Sequence, residues 1–493
     1  MNPKLKSFVI LILSSLTWLN ISSAQVLHKD SFRMDVQSIA GLASNTVLDI
    51  LVNGNIIWFG TGAGLSRTSD GGRSFISYGV EQGIGKGSVS ALAVSDDVIW
   101  VATGFDTTTE VGEFQAGGGL AFSLDDGENW TLVPQPGPTN VQNITFDIAL
   151  RGSEVWITSF GGGLRKADTF GQSLELITPD SFIVVTPDSF LFDPLANLNH
   201  RAFSVIVADS ILWVGTAGGV NRSTDGGRTW TNFSHANQAE PISGNFVVAI
   251  ASQKYGGKNI IWAATIETTS ATEDTSEFRG ISWSEDQGFS WRTALRGEFA
   301  HNFAFDDSVV YVATNNGLFK SIDGGETWAL FPSIVNQTGS RQILSNEFFT
   351  VGVSEEHTLW VGSPDGLAKT SDNGFTWEIF QTFEPTGKEG SPRTYAYPNP
   401  FSPNVHNKLD GIGHVRFQYN TTKATQVTIK IYNFAMEFVA TVVENKPRPA
   451  NGDFYEIWDG RDARGFQVDN GIFFYRIDLK GEGTFWGKLI VLN

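Results

Sequence analysis

The chain has 493 residues, more than one compact core accommodates, so at least two domains are expected. It has no cysteine, and 34 basic against 52 acidic side chains give a net charge of −18. That balance argues against nucleic acid and anionic membrane as partners, and the lack of disulfides leaves the core alone to hold the fold. Fifty-three glycines with abundant Trp and Phe suit many short strands joined by tight turns.

Residues 1–24 read as a secretory signal peptide: Lys4 and Lys6, an apolar run from Phe8 to Leu19, then Ser22-Ser23-Ala24 as a small-residue cleavage site. The run is short for a membrane span, and no other stretch could cross a bilayer. The mature chain is expected to start at Gln25, with 32 basic and 52 acidic side chains and a net charge of −20. An exported chain without disulfides fits a bacterial surface. Its acidic balance suits cations such as calcium, or neutral glycans. Residues 25–45 lead in, and Phe32 to Val36 is a candidate closing outer strand for the repeats that begin at residue 46.

From residue 46 two markers alternate seven times. The first is an aromatic-centred strand: Ile57-Trp58-Phe59, Ile99-Trp100-Val101, Val155-Trp156-Ile157, Leu212-Trp213-Val214, Ile261-Trp262-Ala263, Val310-Tyr311-Val312 and Leu359-Trp360-Val361. The second is a turn, Ser/Thr-x-Asp-x-Gly-x-x-Trp. It stands as Thr68 to Phe75, Ser123 to Trp130, Ser223 to Trp230, Ser284 to Trp291, Ser321 to Trp328 and Thr370 to Trp377, with a worn copy through Lys166-Ala167-Asp168 whose glycine is displaced to Gly171. In five units the aromatic lies 12 residues before the turn aspartate; in units two and five the gap is 25 and 24. The aspartate can bond amides of its own turn, glycine takes angles other residues avoid, and the Trp buries apolar surface. Each unit holds four short strands, the signature of a propeller blade.

The turn resembles the Asp-box, or bacterial neuraminidase repeat, of sialidases, xyloglucanase-type glycosidases, the sortilin ectodomain and photosystem assembly factors. The resemblance covers residues 46–383 and implies a seven-bladed β-propeller. It implies no activity, because those families share the turn and differ in function. Asp70, Asp125, Asp225, Asp286, Asp323 and Asp372, with Trp130, Trp230, Trp291, Trp328 and Trp377, are therefore structural Asp-box residues, and Trp230, Trp291, Trp328 and Trp377 are expected in the core. A sialidase needs six blades and an Arg-Ile-Pro element; Phe32-Arg33-Met34-Asp35 lacks the proline and the units number seven.

Residues 384–394 read as a polar, Pro/Gly-rich linker. Residues 395–493 alternate as six or seven strands, a β-sandwich, so the fold class is all-β: a seven-bladed propeller followed by a small sandwich. Pro398-Asn399-Pro400-Phe401, Ile429 to Asn433, Trp458-Asp459-Gly460 and Asn470 to Tyr475 resemble the Ig-like domain of the flagellar hook-assembly scaffold and the C-terminal sorting domains of type IX secretion. The basic-then-apolar tail, Gly487 to Asn493, resembles the ending of sorting domains. The resemblance implies that outer-membrane secretion machinery reads this domain and that the passenger is released or fixed to the surface.

No cofactor is expected, and no catalytic motif is found. His28, His200, His235, His301, His357, His406 and His414 lack metal-ligand spacing. Three insertions depart from the repeat: residues 105–115, 266–279 and 175–200, the last containing Thr178-Pro179-Asp180-Ser181-Phe182 and Thr186-Pro187-Asp188-Ser189-Phe190. Irregular loops on a regular scaffold carry function. All three are expected on one face, and units two and five lie about 150° apart around a seven-bladed ring. Asp106, Glu110, Glu113, Phe114, Glu273, Asp274, Glu277 and Phe278 are the candidate ligand-binding residues. The expected function is a secreted or cell-surface, non-enzymatic protein that binds a glycan or a protein. The alternatives are a glycoside hydrolase, with the unit-two and unit-five carboxyls opposed, and an envelope assembly factor.

Overall fold

The computed structural model describes residues 41–95, 98–110, 112–137, 139–168, 177–268, 277–388 and 390–493. The signal peptide and the candidate closing strand at 32–36 lie outside them. The chain divides into two compact units, one spanning Ser38–Phe383 and the other holding Glu384–Asn493.

The first unit is a seven-bladed β-propeller. Seven four-stranded antiparallel sheets follow in chain order. Their innermost strands are Val47–Asn53, Ser88–Ser95, Asp147–Arg151, Ala202–Ala208, Phe246–Tyr255, Ala300–Asp306 and Thr350–Val353. Each packs against the innermost strand of the next blade, and that of blade seven against that of blade one, so the ring is closed. The outer strand of blade seven is Glu378–Phe380, supplied by the chain's own continuation.

The second strand of each blade has an apolar centre because both of its faces are covered there by neighbouring blades. Trp58, Trp100, Trp156, Trp213, Trp262 and Trp360 at its centre are fully buried. This corrects one expectation. Of the box tryptophans, Trp291 and Trp377 are buried, whereas Trp130, Trp230 and Trp328 are only partly so. The box Trp precedes a two- or three-residue outer strand at the rim, and it covers aromatic side chains of the preceding blade from outside. Trp130 meets Trp58 edge-on at 6.3 Å, Trp328 meets Trp262 at 6.4 Å, and Trp377 meets Phe331 at 5.9 Å.

The box turn is built by its side chains. In each of six boxes the Ser/Thr hydroxyl donates to the aspartate Oδ1 and accepts the amide of the box glycine, as Ser321 does with Asp323 and Gly325, both at 2.8 Å. The aspartate then receives the amide and the side chain of the residue four positions on. For Asp323 this is Thr327, at 2.9 and 2.6 Å. These bonds stabilise the ionised carboxyl, holding Asp323 and Asp372 down to about 2 and Asp70, Asp125 and Asp225 below their ordinary value. The box glycine faces the preceding blade: a Cβ on Gly325 would stand 2.7 Å from the Trp262 ring, and one on Gly227 2.6 Å from that of Trp156.

Blade three departs from the rule. Its worn box runs into residues 169–176, which lie outside the described ones, and its outer strand is Ile183–Val185. Ile177 and Phe182, the latter ending the first Thr-Pro-Asp-Ser-Phe segment, pack with Trp100 and Phe122 of blade two, where other seams use a box aromatic. The expectation that the whole 175–200 insertion lies with the two hairpins on one face is therefore corrected. Its first half is a blade edge, and only its second half is a blade-to-blade crossing.

The second unit is a sandwich of a three-stranded sheet (Thr394–Tyr397, Val415–Thr421, Gly452–Trp458) and a four-stranded one (Phe438–Arg448, Thr425–Tyr432, Gly471–Leu479, Gly483–Val491). Phe417, Tyr419, Ile429, Ile431, Tyr475, Ile477 and Leu489 lie in its core. The segment read as a linker is folded onto this unit. Thr386 is buried and donates to Asp453, and the Tyr395 hydroxyl donates to the Glu384 carbonyl. Among the described residues no helix is long and apolar enough to cross a membrane.

Candidate binding face

In a ring of such blades, the loops joining second to third strands share one face with the blade-to-blade crossings, and the box turns occupy the other. The blade-two insertion lies on the first face and is ordered as β-ribbon. Its strands, Val98–Thr109 and Gly112–Ser123, have twelve residues each, against six and five in blade four. Asp106 pairs with Gln115, Thr107 with Phe114 and Thr108 with Glu113. The alternation of a strand therefore sets Asp106 and Glu113 on one side of the ribbon and Phe105 and Phe114 on the other. Burial first, and the Glu113 charge second, raise the Asp106 carboxyl above its ordinary value. Lys86 Nζ stands 3.8 Å from the centre of the Phe105 ring. Glu110 is exposed in the turn at the ribbon tip.

The blade-five insertion is different. Glu273 and Asp274 lie outside the described residues. Glu277 is buried and occupied: it accepts from Asn245 N and Nδ2 at 3.3 and 2.5 Å and from Thr268 N at 3.0 Å. Phe278 is partly buried, with the Arg296 guanidinium 4.2 Å from its ring centre. Glu277 is therefore a tether at the base of its loop, which corrects its assignment as a free ligand group. In the crossing from blade three to blade four, buried His200 bonds Asp188 at 3.0 Å and accepts the Asp193 amide at 2.8 Å, so the second Thr-Pro-Asp-Ser-Phe segment also anchors its own loop.

Two features of this unit escape sequence reasoning. Where the innermost strands begin on the same face, aromatic side chains line up from blade to blade. Phe146 lies 5.5 Å from Phe203, Phe203 4.4 Å from Phe246, and His301 5.8 Å from Phe349. Further along these strands, side chains of one blade accept amides of the next. Thr350 Oγ1 accepts from Ile50 N at 3.1 Å, Asp147 Oδ2 from Val205 N at 2.9 Å, and Ser204 Oγ from Ile250 N at 3.0 Å. Asp49 likewise accepts from Leu92 N. Burial pushes Asp49 up to about 7, with help from the Asp147 charge, and pushes Asp147 up to about 6. An Asp inside the apolar runs Val47 to Leu51 and Phe146 to Leu150 was the available signal. Among the described residues no group of three or more His, Asp and Glu side chains is placed to hold a metal ion.

No family model matches the chain, and no curated protein matches it. Among solved structures it is similar to the extracellular domain of a one-component system of B. thetaiotaomicron, at 12% identity and TM-score 0.46, covering 91% of this chain and 57% of that one. It is also similar to PorZ, a surface component of the type IX secretion system of Porphyromonas gingivalis, at 14% identity and TM-score 0.38, covering 92% and 71%. A third is an ancestral GH74 enzyme, at 15% identity and TM-score 0.48, covering 91% and 62%. The chain thus spans little more than half the length of the first of these. The fold is read from its own sheets: the chain is a seven-bladed β-propeller joined to a β-sandwich unit.

Proposed function

We propose that the protein is an exported, non-enzymatic binding protein whose propeller takes an extracellular glycan or protein on the face built by the second-to-third-strand loops. The observation that carries this reading is the blade-two ribbon, which extends by about six residues per strand beyond the blade-four pattern and separates two carboxylates from two aromatic rings. A drifted loop has no reason to keep a ladder in register; a projecting arm of fixed geometry suits recognition. Export rests on the sequence of residues 1–24, and the reading of the second unit as a sorting or attachment domain rests on its motifs and tail. Secretion machinery of the outer membrane is its proposed partner, and the cell surface or medium its proposed location.

The test is a glycan-array and surface-protein screen run beside an activity screen on polysaccharides. The parent is compared with a variant whose ribbon is cut to the blade-four length, where the chain turns at Ala217-Gly218. Defined binding that the shortened variant loses at unchanged melting temperature supports the reading. Turnover of a polysaccharide replaces it with the hydrolase, and equal binding by both proteins moves the site elsewhere.

A further inference from the structure

The four-stranded sheet of the second unit has an outer face that the propeller reading leaves unused. Along Thr425–Tyr432 the inward residues are Val427, Ile429 and Ile431, which leaves Lys430 and Tyr432 facing outward. By the same alternation Phe474 and Arg476 face outward from Gly471–Leu479, and Trp486 and Lys488 from Gly483–Val491. The register aligns these as two adjoining rows. Tyr432 stands opposite Phe474, and Phe474 opposite Lys488; Lys430 stands opposite Arg476, and Arg476 opposite Trp486. Phe438 extends the first row beyond Tyr432, and Phe434 stacks on Phe474 at 6.3 Å. Tyr432 and Trp486 meet diagonally at 5.5 Å.

The patch is open. Phe434, Phe438 and Trp486 are 73%, 52% and 47% exposed, in a protein whose other aromatics largely build blade seams. Apolar surface of this kind marks a contact site. The charges say what kind. Arg476 is engaged by Asp478 at 2.6 Å and braces the Trp486 ring, but among the described residues Lys430 and Lys488 make no ion pair. Two unpartnered cations set between aromatic platforms, in a chain of net charge −18, complement an anionic ligand with flat apolar faces. The surface is a sheet and not a groove, and neighbouring strands space its platforms by about 5 Å, the scale of one sugar ring. We infer that this face binds an anionic polysaccharide, whose ring faces lie on Tyr432, Phe474 and Trp486 and whose acidic substituents pair with Lys430 and Lys488.

The test is affinity electrophoresis of the full chain through gels containing polygalacturonate, with dextran as the uncharged polymer and polyphosphate as the anion without sugar rings. Polygalacturonate is expected to retard the parent. Trp486→Ala should weaken retardation at least about fivefold, the scale of one aromatic contact. The double change Lys430→Gln with Lys488→Gln, at one half-buried and one exposed position on the outer face, should weaken it about fivefold and remove its salt dependence. The variant with the shortened blade-two ribbon should be retarded like the parent, which separates this site from the propeller's. No retardation by polygalacturonate overturns the inference. So does equal retardation by dextran, or by polyphosphate with Trp486→Ala unaffected. A dimer in solution that Trp486→Ala dissociates assigns the face to a second copy of the chain and overturns it as well.

Discussion

Asn45 and Thr382 clasp each other across 337 residues of sequence: Asn45 Nδ2 donates to the Thr382 carbonyl at 2.7 Å, and the Thr382 amide donates to Asn45 Oδ1 at 2.6 Å. The Thr382 hydroxyl adds a bond to the Leu42 carbonyl at 2.9 Å. The entry to blade one is thereby pinned to the exit of blade seven, where among the described residues no shared strand joins them. Asn45→Ala removes two partly buried bonds and leaves two backbone groups unmet, and should cost about 1–3 kcal/mol. Urea unfolding of the propeller is the measurement, and an unchanged midpoint would show that packing alone closes the ring.

The two middle positions of a box should respond differently to the same substitution. Gly324 has φ 71° with open space around it, and its counterparts in blades two, five and seven are Asp126, Gln287 and Asn373, all at positive φ. Gly324→Ala should cost about 1 kcal/mol. Gly325 has φ 99° and would place a Cβ against Trp262, so Gly325→Ala should cost about 3 kcal/mol or more through added overpacking. Equal losses in thermal unfolding would mean that the preceding blade yields freely at this seam.

Mid-strand and rim tryptophans should also separate. Trp262 is fully buried and touches Trp283, Phe303, Phe305 and Trp328. Trp262→Ala should cost about 3–5 kcal/mol, whereas partly buried Trp328 should cost about half as much. Chemical denaturation of the two variants decides the order.

Two sets of carboxyls give the propeller opposite pH slopes. Asp323 and Asp372, held down to about 2, contribute stability that is present above the unfolded value of 3.8 and is lost as pH falls through 2. Asp49 and Asp147, raised to about 7 and about 6, act in reverse: the folded state is favoured below 3.8 and loses that advantage as pH rises through 6 and 7. Melting temperature should therefore decline between about pH 4 and 7, and Asp49→Asn, which keeps the shape of the neutral acid, should flatten that decline. An identical slope in the variant would place the titration elsewhere.

The blades were legible because mid-strand aromatic and box aspartate are local signals kept at nearly constant spacing. The inward Asp49 and Asp147 were not, because an Asp in an apolar run gains meaning only from the neighbouring blade, whose Leu92 and Val205 amides it accepts. Glu277 was misjudged for the same reason: Asn245, 32 residues away, takes its carboxylate. Composition correctly separates an acidic, turn-rich chain, yet the patch around Trp486 depends on strand register, which alternation alone does not set.

Blade three shows what the repeat preserves. Its seam with blade two is filled by Ile177 and Phe182, which follow the worn box, and the ring still closes with seven blades. What every blade must supply is a volume of apolar side chain at the rim of its predecessor, and the box is one way of delivering it. Counting only the full boxes gives six for this ring of seven blades, so angular closure is the sounder census.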